Sequence, residues 1–272
     1  MRYFDHNATS PLSATARAAW LEAVERFPAN PSSPHRLGAR ADAALTEARQ
    51  AAADWLGCSP FDLVWTGGAT EANNAVFHHV AQTGAGEVWM SAIEHPCVLA
   101  AARRWLEGRV RLIPVTPEGV VNVDWLDDAL SRQRPGLVAL MAANNETGVL
   151  QPWRETLAMC RRHGVPFACD AAQWIGKLPA AGLGECDFVL GCAHKFGGPP
   201  GVGFMKVPAG FRPLIVGGPQ EDGRRAGTEN VPGILAMTAA WAERERQLAA
   251  GEAKIRETWR DQFIAELRAA LP

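Results

Sequence analysis

The chain carries four lysines, at positions 177, 195, 206 and 254, among 27 basic residues. A protein that places nearly all its positive charge on arginine gives each lysine amine weight. A guanidinium does not form a Schiff base, whereas an amine does. Lys195 stands in Gly191-Cys192-Ala193-His194-Lys195-Phe196-Gly197-Gly198-Pro199, after an apolar run and before a glycine-rich loop. Flanks that are apolar or glycine do not suit an ordinary surface lysine. Four further segments could do chemistry. Gly67-Gly68-Ala69-Thr70-Glu71 follows an apolar run and opens a helical pattern. Its glycines let the backbone approach a ligand, and a helix N-terminus offers free N–H groups and a positive dipole to a phosphate. Glu94-His95-Pro96 supplies an imidazole able to stack on a flat ring or move protons. Asn144-Asn145-Glu146-Thr147-Gly148 supplies side-chain amides. In Cys169-Asp170-Ala171-Ala172-Gln173 a carboxylate ends an apolar run, where it is costly unless paired.

Taken singly, each of these four has an ordinary structural reading: a plain strand-to-helix turn, a polar histidine beside a helix, an Asx-type turn, and a helix N-cap. Neither GxxxxGK[ST] nor GxGxxG is present. Taken together, the five make one set. They offer a phosphate cup, a stacking ring, an acid for a ring nitrogen, amides for a ring oxygen and an amine for an aldehyde. Those are the demands of pyridoxal 5′-phosphate. No CxxC pair or other metal-ligand spacing occurs, so no metal is expected.

Positioning such a set at one place needs a scaffold with several loops on one edge. The apolar runs 63–65, 88–90, 110–115, 137–142, 165–169, 188–190 and 202–205 read as strands. Helical patterns at 39–56, from 66–71 onward, 97–106, 123–130 and 153–162 alternate with them. The strands are apolar throughout, which predicts an α/β fold, a mostly parallel sheet with helices on both faces. Ligands of such sheets sit at the carboxyl ends of the strands. From Pro232 a helical pattern runs almost to the end, with a break at Gly251. Ile255, Trp259, Phe263 and Leu267, spaced four apart, form an apolar stripe on its last part. Left uncovered, that stripe is expected to make the chain associate beyond a dimer or shed the segment from Gly251 onward.

Of 272 residues 47% are apolar and 21% charged, with a net charge of −2, which excludes disorder as the main state. That length fits one large domain, or one and a half at roughly 150 residues each. The charge gives no reason to expect nucleic acid or membrane as partner. No apolar run spans a bilayer and no signal-like segment opens the chain, so the cytoplasm is the expected location. The six cysteines then read as reduced and mostly buried.

These residues resemble the class V, fold-type I pyridoxal-phosphate enzymes, most nearly the cysteine desulfurases of the nitrogen-fixation and iron–sulfur-cluster type. The resemblance runs through Tyr3-Phe4-Asp5-His6-Asn7-Ala8-Thr9, Asn30-Pro31-Ser32-Ser33, His35, the five segments above, Gly217-Gly218 and Arg224-Arg225-Ala226-Gly227-Thr228-Glu229-Asn230. It implies a fold-type I large domain over 1–250, with 1–15 as an N-terminal arm, and 251–272 as a helix leading to a small domain that this sequence lacks. It also implies that Lys195 is the Schiff-base lysine, Asp170 the pyridinium partner, Gln173 the group bonding the ring hydroxyl and His95 the stacking ring. Asn145 lies near cofactor and substrate, and Ala69, Thr70, Cys192 and His194 hold the phosphate. Thr228 reaches the phosphate of the neighbouring subunit, so the expected assembly is a homodimer with shared sites. The substrate is L-cysteine, converted to L-alanine with sulfur passed to a cysteine, and onward to a sulfur acceptor or iron–sulfur scaffold protein. Three features depart from the family pattern: Cys192 stands where serine is usual, Pro219 where a third glycine is common, and Asp222 where a basic residue is frequent. The family's sulfur-accepting cysteine and carboxylate-binding arginine have no counterpart here, so impaired activity is expected. The competing readings are another class V pyridoxal-phosphate enzyme, a lyase or aminotransferase, and a cofactor-binding domain without turnover.

Overall fold

A computed structural model describes residues 2–84 and 86–271. Seven strands form one sheet: β1 (Leu63–Thr66), β2 (Val88–Ser91), β3 (Val110–Ile113), β4 (Leu137–Met141), β5 (Phe167–Asp170), β6 (Phe188–Cys192) and β7 (Gly203–Lys206). Their spatial order is β1-β7-β6-β5-β4-β2-β3. Strands β3, β2, β4, β5 and β6 are mutually parallel. β7 is antiparallel to both β6 and β1, so β1 again runs with the parallel five. The expected mostly parallel sheet is present, with one reversed strand near an edge. Two strand ends differ from the sequence reading at prolines. β3 stops before Pro114 and β5 starts after Pro166, because proline has no N–H to give the ladder.

Eight α-helices surround the sheet: α1 (Ala14–Arg26), α2 (Arg36–Leu56), α3 (Ala69–Gln82), α4 (Pro96–Trp105), α5 (Val123–Arg132), α6 (Trp153–His163), α7 (Val231–Ala249) and α8 (Glu252–Ala270). Successive strand residues point to opposite faces, and the two hydrophobic cores sort accordingly. Trp89, Val138, Leu140, Phe167 and Val189 face one core with α2, α5, α6 and α7. Val88, Met90, Leu137, Ala139, Ala168 and Leu190 face the other with α3 and α4. Helices therefore cover both faces. Each terminus has a local cause: His35, Asn122 and Asn230 cap α2, α5 and α7 through side-chain acceptors, and Gly57 and Gly164 close α2 and α6 in left-handed conformation. α8 begins after Gly251 (φ 90°) and buries none of its residues. The stripe is on its surface, with Trp259 65% and Phe263 63% exposed.

One buried ion pair holds the loop over 217–230 to this body. Glu221 accepts two hydrogen bonds at 2.8 Å from Arg49 of α2, and its Oε2 takes the Trp65 N–H of β1 at 3.0 Å. Glu221 and Asp222 have positive φ, 52° and 55°, which non-glycine residues adopt only under constraint. Glu221→Ala takes the carboxylate partner from half-buried Arg49, which keeps only the Leu63 carbonyl, and leaves the Trp65 N–H unpaired. We expect it to destabilise the chain by roughly 3–5 kcal/mol, read as a lower urea midpoint.

Candidate active site

Every parallel strand, and β1, ends on the same side of the sheet, and the loops that follow enclose a cavity of about 400 Å³. β1 delivers Gly67, Gly68, Ala69 and Thr70. β2 delivers His95, β4 delivers Asn145, β5 delivers Asp170 and then Gln173, and β6 delivers Cys192, His194 and Lys195; all of them line the cavity. Thr228 alone among the expected site residues lies apart. It is exposed, in a smaller adjoining cavity that shares Gly67, Gly201 and Val202 with the first.

The floor is built by close backbone approach. A Cβ on Gly203 would lie 2.5 Å from the Gly191 carbonyl and 2.7 Å from Gly68 Cα. Gly68 has φ 147° and, as N-cap of α3, brings no capping side chain. The start of α3 thus presents backbone N–H groups and the helix dipole to the cavity, an arrangement suited to a phosphate. Glu71 secures this turn: Oε2 accepts from Gly67 N at 2.8 Å, and both carboxylate oxygens accept from Arg225.

Asp170 is 8% exposed. Its Oδ1 accepts from Ala172 N and its Oδ2 from Asn73 Nδ2, each at 3.0 Å. Both donors are neutral, and burial pushes the carboxyl above its usual range despite them. A cationic group in the cavity would be its missing counter-charge. Asn73 was not anticipated from sequence; it stands one helical turn after Ala69, the spacing that puts two residues on one face. His95 caps α4, with Nδ1 3.1 Å from Cys97 N and 3.0 Å from Cys97 Sγ. Asn144 and Asn145 divide the two readings of their segment. Asn144 Oδ1 receives Glu146 N and Thr147 N, an Asx turn, while Asn145 lines the cavity.

Lys195 Nζ donates to the carbonyls of Asn7 at 2.7 Å and Ala8 at 3.0 Å. No carboxylate pairs with it among the described residues. His194 Nδ1 is 2.8 Å from Thr9 Oγ1, and burial followed by the Lys195 charge lowers its pKa, favouring neutral imidazole. The N-terminal arm thus holds the Lys195 and His194 side chains through Asn7, Ala8 and Thr9.

Two further groups matter. Glu94 is fully enclosed, and Oε1 accepts from Ser91 Oγ at 2.8 Å and Met141 N at 2.9 Å, while Oε2 has no partner among the described residues. Burial raises its pKa to about 8. The folded chain then holds a proton that the unfolded chain releases near its ordinary value, so Glu94 makes stability fall as pH rises from about 4.5 to about 8. Replacing it with glutamine is expected to flatten that decline, read by urea unfolding at pH 5, 6.5 and 8. Five of the six cysteines are poor nucleophiles. Burial pushes Cys58 and Cys97 up to about 11 and Cys160 and Cys192 to about 12, and raises Cys169 well above the usual thiol.

A mostly parallel sheet whose strand ends converge on a buried acid, a lysine without a carboxylate partner and a glycine-lined helix start is an α/β fold with a site suited to a phosphate-bearing aldehyde. The model of the class-V aminotransferase family matches residues 2–269, and the chain belongs to that family, whose members depend on pyridoxal phosphate. Among curated proteins it is 42% identical over 247 residues to a cysteine desulfurase of Klebsiella pneumoniae, covering 88% of this chain and 61% of that protein. It is 34% identical to cysteine desulfurase 2 of Trichormus variabilis, covering 99% of this chain and 69% of that one. The chain thus spans about three fifths of the length of the first of these relatives. Among solved structures, a NifS-like protein superposes with a TM-score of 0.92 at 34% identity, covering 99% of this chain and 76% of that one. A structure described as SspA in complex with cysteine gives 0.83 at 31%, covering 89% and 72%. Among the described residues no helix is long and apolar enough to cross a membrane, and no cluster of side chains suits a metal ion.

Proposed function

We propose that the cavity binds pyridoxal phosphate and that the chain is the cofactor-binding part of a cysteine desulfurase acting in the cytoplasm. The observation that carries this is Asp170: a buried carboxyl with only neutral donors, on the wall of a cavity that also holds a lysine without a carboxylate partner. The residues present fit the cofactor. The uncapped start of α3, with Thr70 and His194 beside it, would hold the phosphate. His95 would lie against the ring, Asp170 would hold the proton of the ring nitrogen, and Asn145 and Gln173 would donate to ring and substrate oxygens. Lys195 would bind the aldehyde. Cys192 fills the remaining phosphate position as a neutral thiol, a weak donor.

Bound there, the cofactor supplies an aldehyde that condenses with amines and a ring that accepts electrons from the substrate α-carbon. The chain's own part is to place protons. Lys195 would remove and return the α-proton of a bound amino acid. Asp170, opposed by a cation, would stay ionised and hold a proton on the ring nitrogen. Neutral Glu94, buried near Asp170, adds no competing charge. In the overall reaction the C–S bond of L-cysteine breaks, sulfur passes to an acceptor thiolate as a persulfide, and the remaining carbon skeleton becomes L-alanine. Five thiols are raised by burial and the sixth, Cys186, is fully buried away from the cavity, which supports an acceptor other than these six. Thr228, exposed in the adjoining cavity that Gly67 also lines, would serve the site of a second copy in a homodimer with shared sites. A sulfur-acceptor or iron–sulfur scaffold protein is the proposed onward partner.

The test is incubation of the loaded chain with L-cysteine and a thiol reductant, with L-alanine and sulfide quantified. Alanine formed in step with sulfide supports the desulfurase reading. Pyruvate and ammonia with sulfide would instead indicate a lyase. A keto acid formed only with an amino-group acceptor would indicate an aminotransferase.

A further inference from the structure

A second lysine sits behind the cavity wall. Lys177 Nζ donates to Asn7 Oδ1 at 2.9 Å and to Gln173 Oε1. An ammonium group only donates, so the second contact decides which way the Gln173 amide faces: Oε1 points to Lys177 and Nε2 away from it. Nε2 carries two hydrogens, and one goes to the Asn7 carbonyl at 2.8 Å, the same oxygen that Lys195 Nζ reaches at 2.7 Å. Gln173 itself is buried and lines the cavity with Asp170 and Lys195. The titratable and charged groups facing Lys177 are Lys195, Cys192 of β6, Arg244 of α7 and Arg256 of α8. Three cations face Lys177, against the Glu252 partner of Arg256 and the Asp170 charge that Lys195 faces, and the excess of positive charge favours an anionic oxygen.

We propose that Lys177 is a positioning residue for the cavity's ligand: it holds Gln173 with Nε2 as the donor presented to a ligand oxygen, and its charge favours the ionised form of that oxygen. This rests on the pyridoxal-phosphate reading, in which the ring hydroxyl is the oxygen concerned. Burial and the neighbouring Lys195 lower the Lys177 pKa to about 8, so the effect is greatest below that pH. Lys177 does not line the cavity and is not expected to bond the aldehyde.

The experiment loads the full chain, Lys177→Gln and Lys177→Arg with pyridoxal phosphate. It records the dissociation constant and the pH midpoint of the visible absorption change. A nearby cation lowers the pKa of groups around it, so Lys177→Gln should raise the midpoint by about one pH unit and weaken binding about tenfold. Lys177→Arg should return the midpoint close to that of the parent chain. A purely structural role would weaken binding without moving the midpoint. Equal midpoints in all three chains therefore overturn the proposal. Lys177→Met, which keeps the aliphatic stem, carries the same test if Lys177→Gln does not fold. If the parent chain acquires no band that borohydride fixes on Lys195, the pyridoxal-phosphate reading itself has failed. A normal parent band with an unmoved variant midpoint rejects only the role of Lys177.

Discussion

Lys195→Ala is expected to abolish covalent attachment of pyridoxal phosphate while leaving non-covalent binding. The phosphate contacts at the start of α3, the His95 ring and Asp170 do not involve the amine. Exchange of an amino acid's α-proton with deuterated water should then fall by roughly 10²–10⁴-fold, the usual contribution of a positioned acid–base group. The other three lysines do not compensate. Lys206 donates to the Cys186 carbonyl and Lys254 pairs with Glu257 on exposed α8. Lys177 is held behind Gln173. The folded body should be unaffected, since the Lys195 side chain reaches only the Asn7 and Ala8 carbonyls. Exchange that persists within a few-fold of the parent would remove Lys195 from the chemistry.

Asp170→Asn is expected to have the second largest effect and a different signature. Covalent attachment should survive, because the lysine and phosphate cup are intact. An amide cannot hold a proton on the ring nitrogen, so the ring loses its electron-accepting power. α-Proton exchange should drop roughly 10²–10³-fold, the cost of removing a preorganised electrostatic partner. Relative to the parent, the stability of the chain without ligand should rise with pH, on top of a fixed cost where the new amide NH2 meets Asn73 Nδ2. Burial raises the Asp170 pKa, so its ionisation opposes folding above the ordinary aspartate value, and a neutral amide removes that penalty. Loss of activity together with a relative stability that rises with pH marks a residue kept charged for its ligand.

Much of this was legible in the sequence because the chemistry sits where apolar runs end. Strands β1, β2, β4, β5 and β6 are short and wholly buried, so polar residues at and just after their ends fall near the site edge. Asp170 ends one such strand, and Lys195 stands three residues after another. α1 was not found. Its only buried residues are Ala16 and Ala23, too small to mark a face. The reversal of β7 was hidden because an antiparallel central strand is as apolar as a parallel one. The short connection from Cys192 to Gly203, with no α-helix in it, was the available sign. The partners Asn73 and Lys177 were missed for another reason. Asn73 meets Asp170 across 97 residues of chain, and Lys177 meets Asn7 across 170. Such pairings depend on how elements pack. The apolar stripe on α8 was legible as a stripe, and the structure shows it exposed. Trp259→Gln with Phe263→Gln is accordingly expected to shift stability by no more than about 0.5 kcal/mol, read by thermal unfolding.

The central claim is that this cavity joins pyridoxal phosphate through Lys195. The most direct measurement loads the parent chain with the cofactor, reduces it with borohydride, digests it and maps the added mass by tandem mass spectrometry. The account predicts a single pyridoxyl-phosphate label on the peptide containing His194, Lys195 and Phe196. A label on Lys177, Lys206 or Lys254, or no label at saturating cofactor, would contradict it.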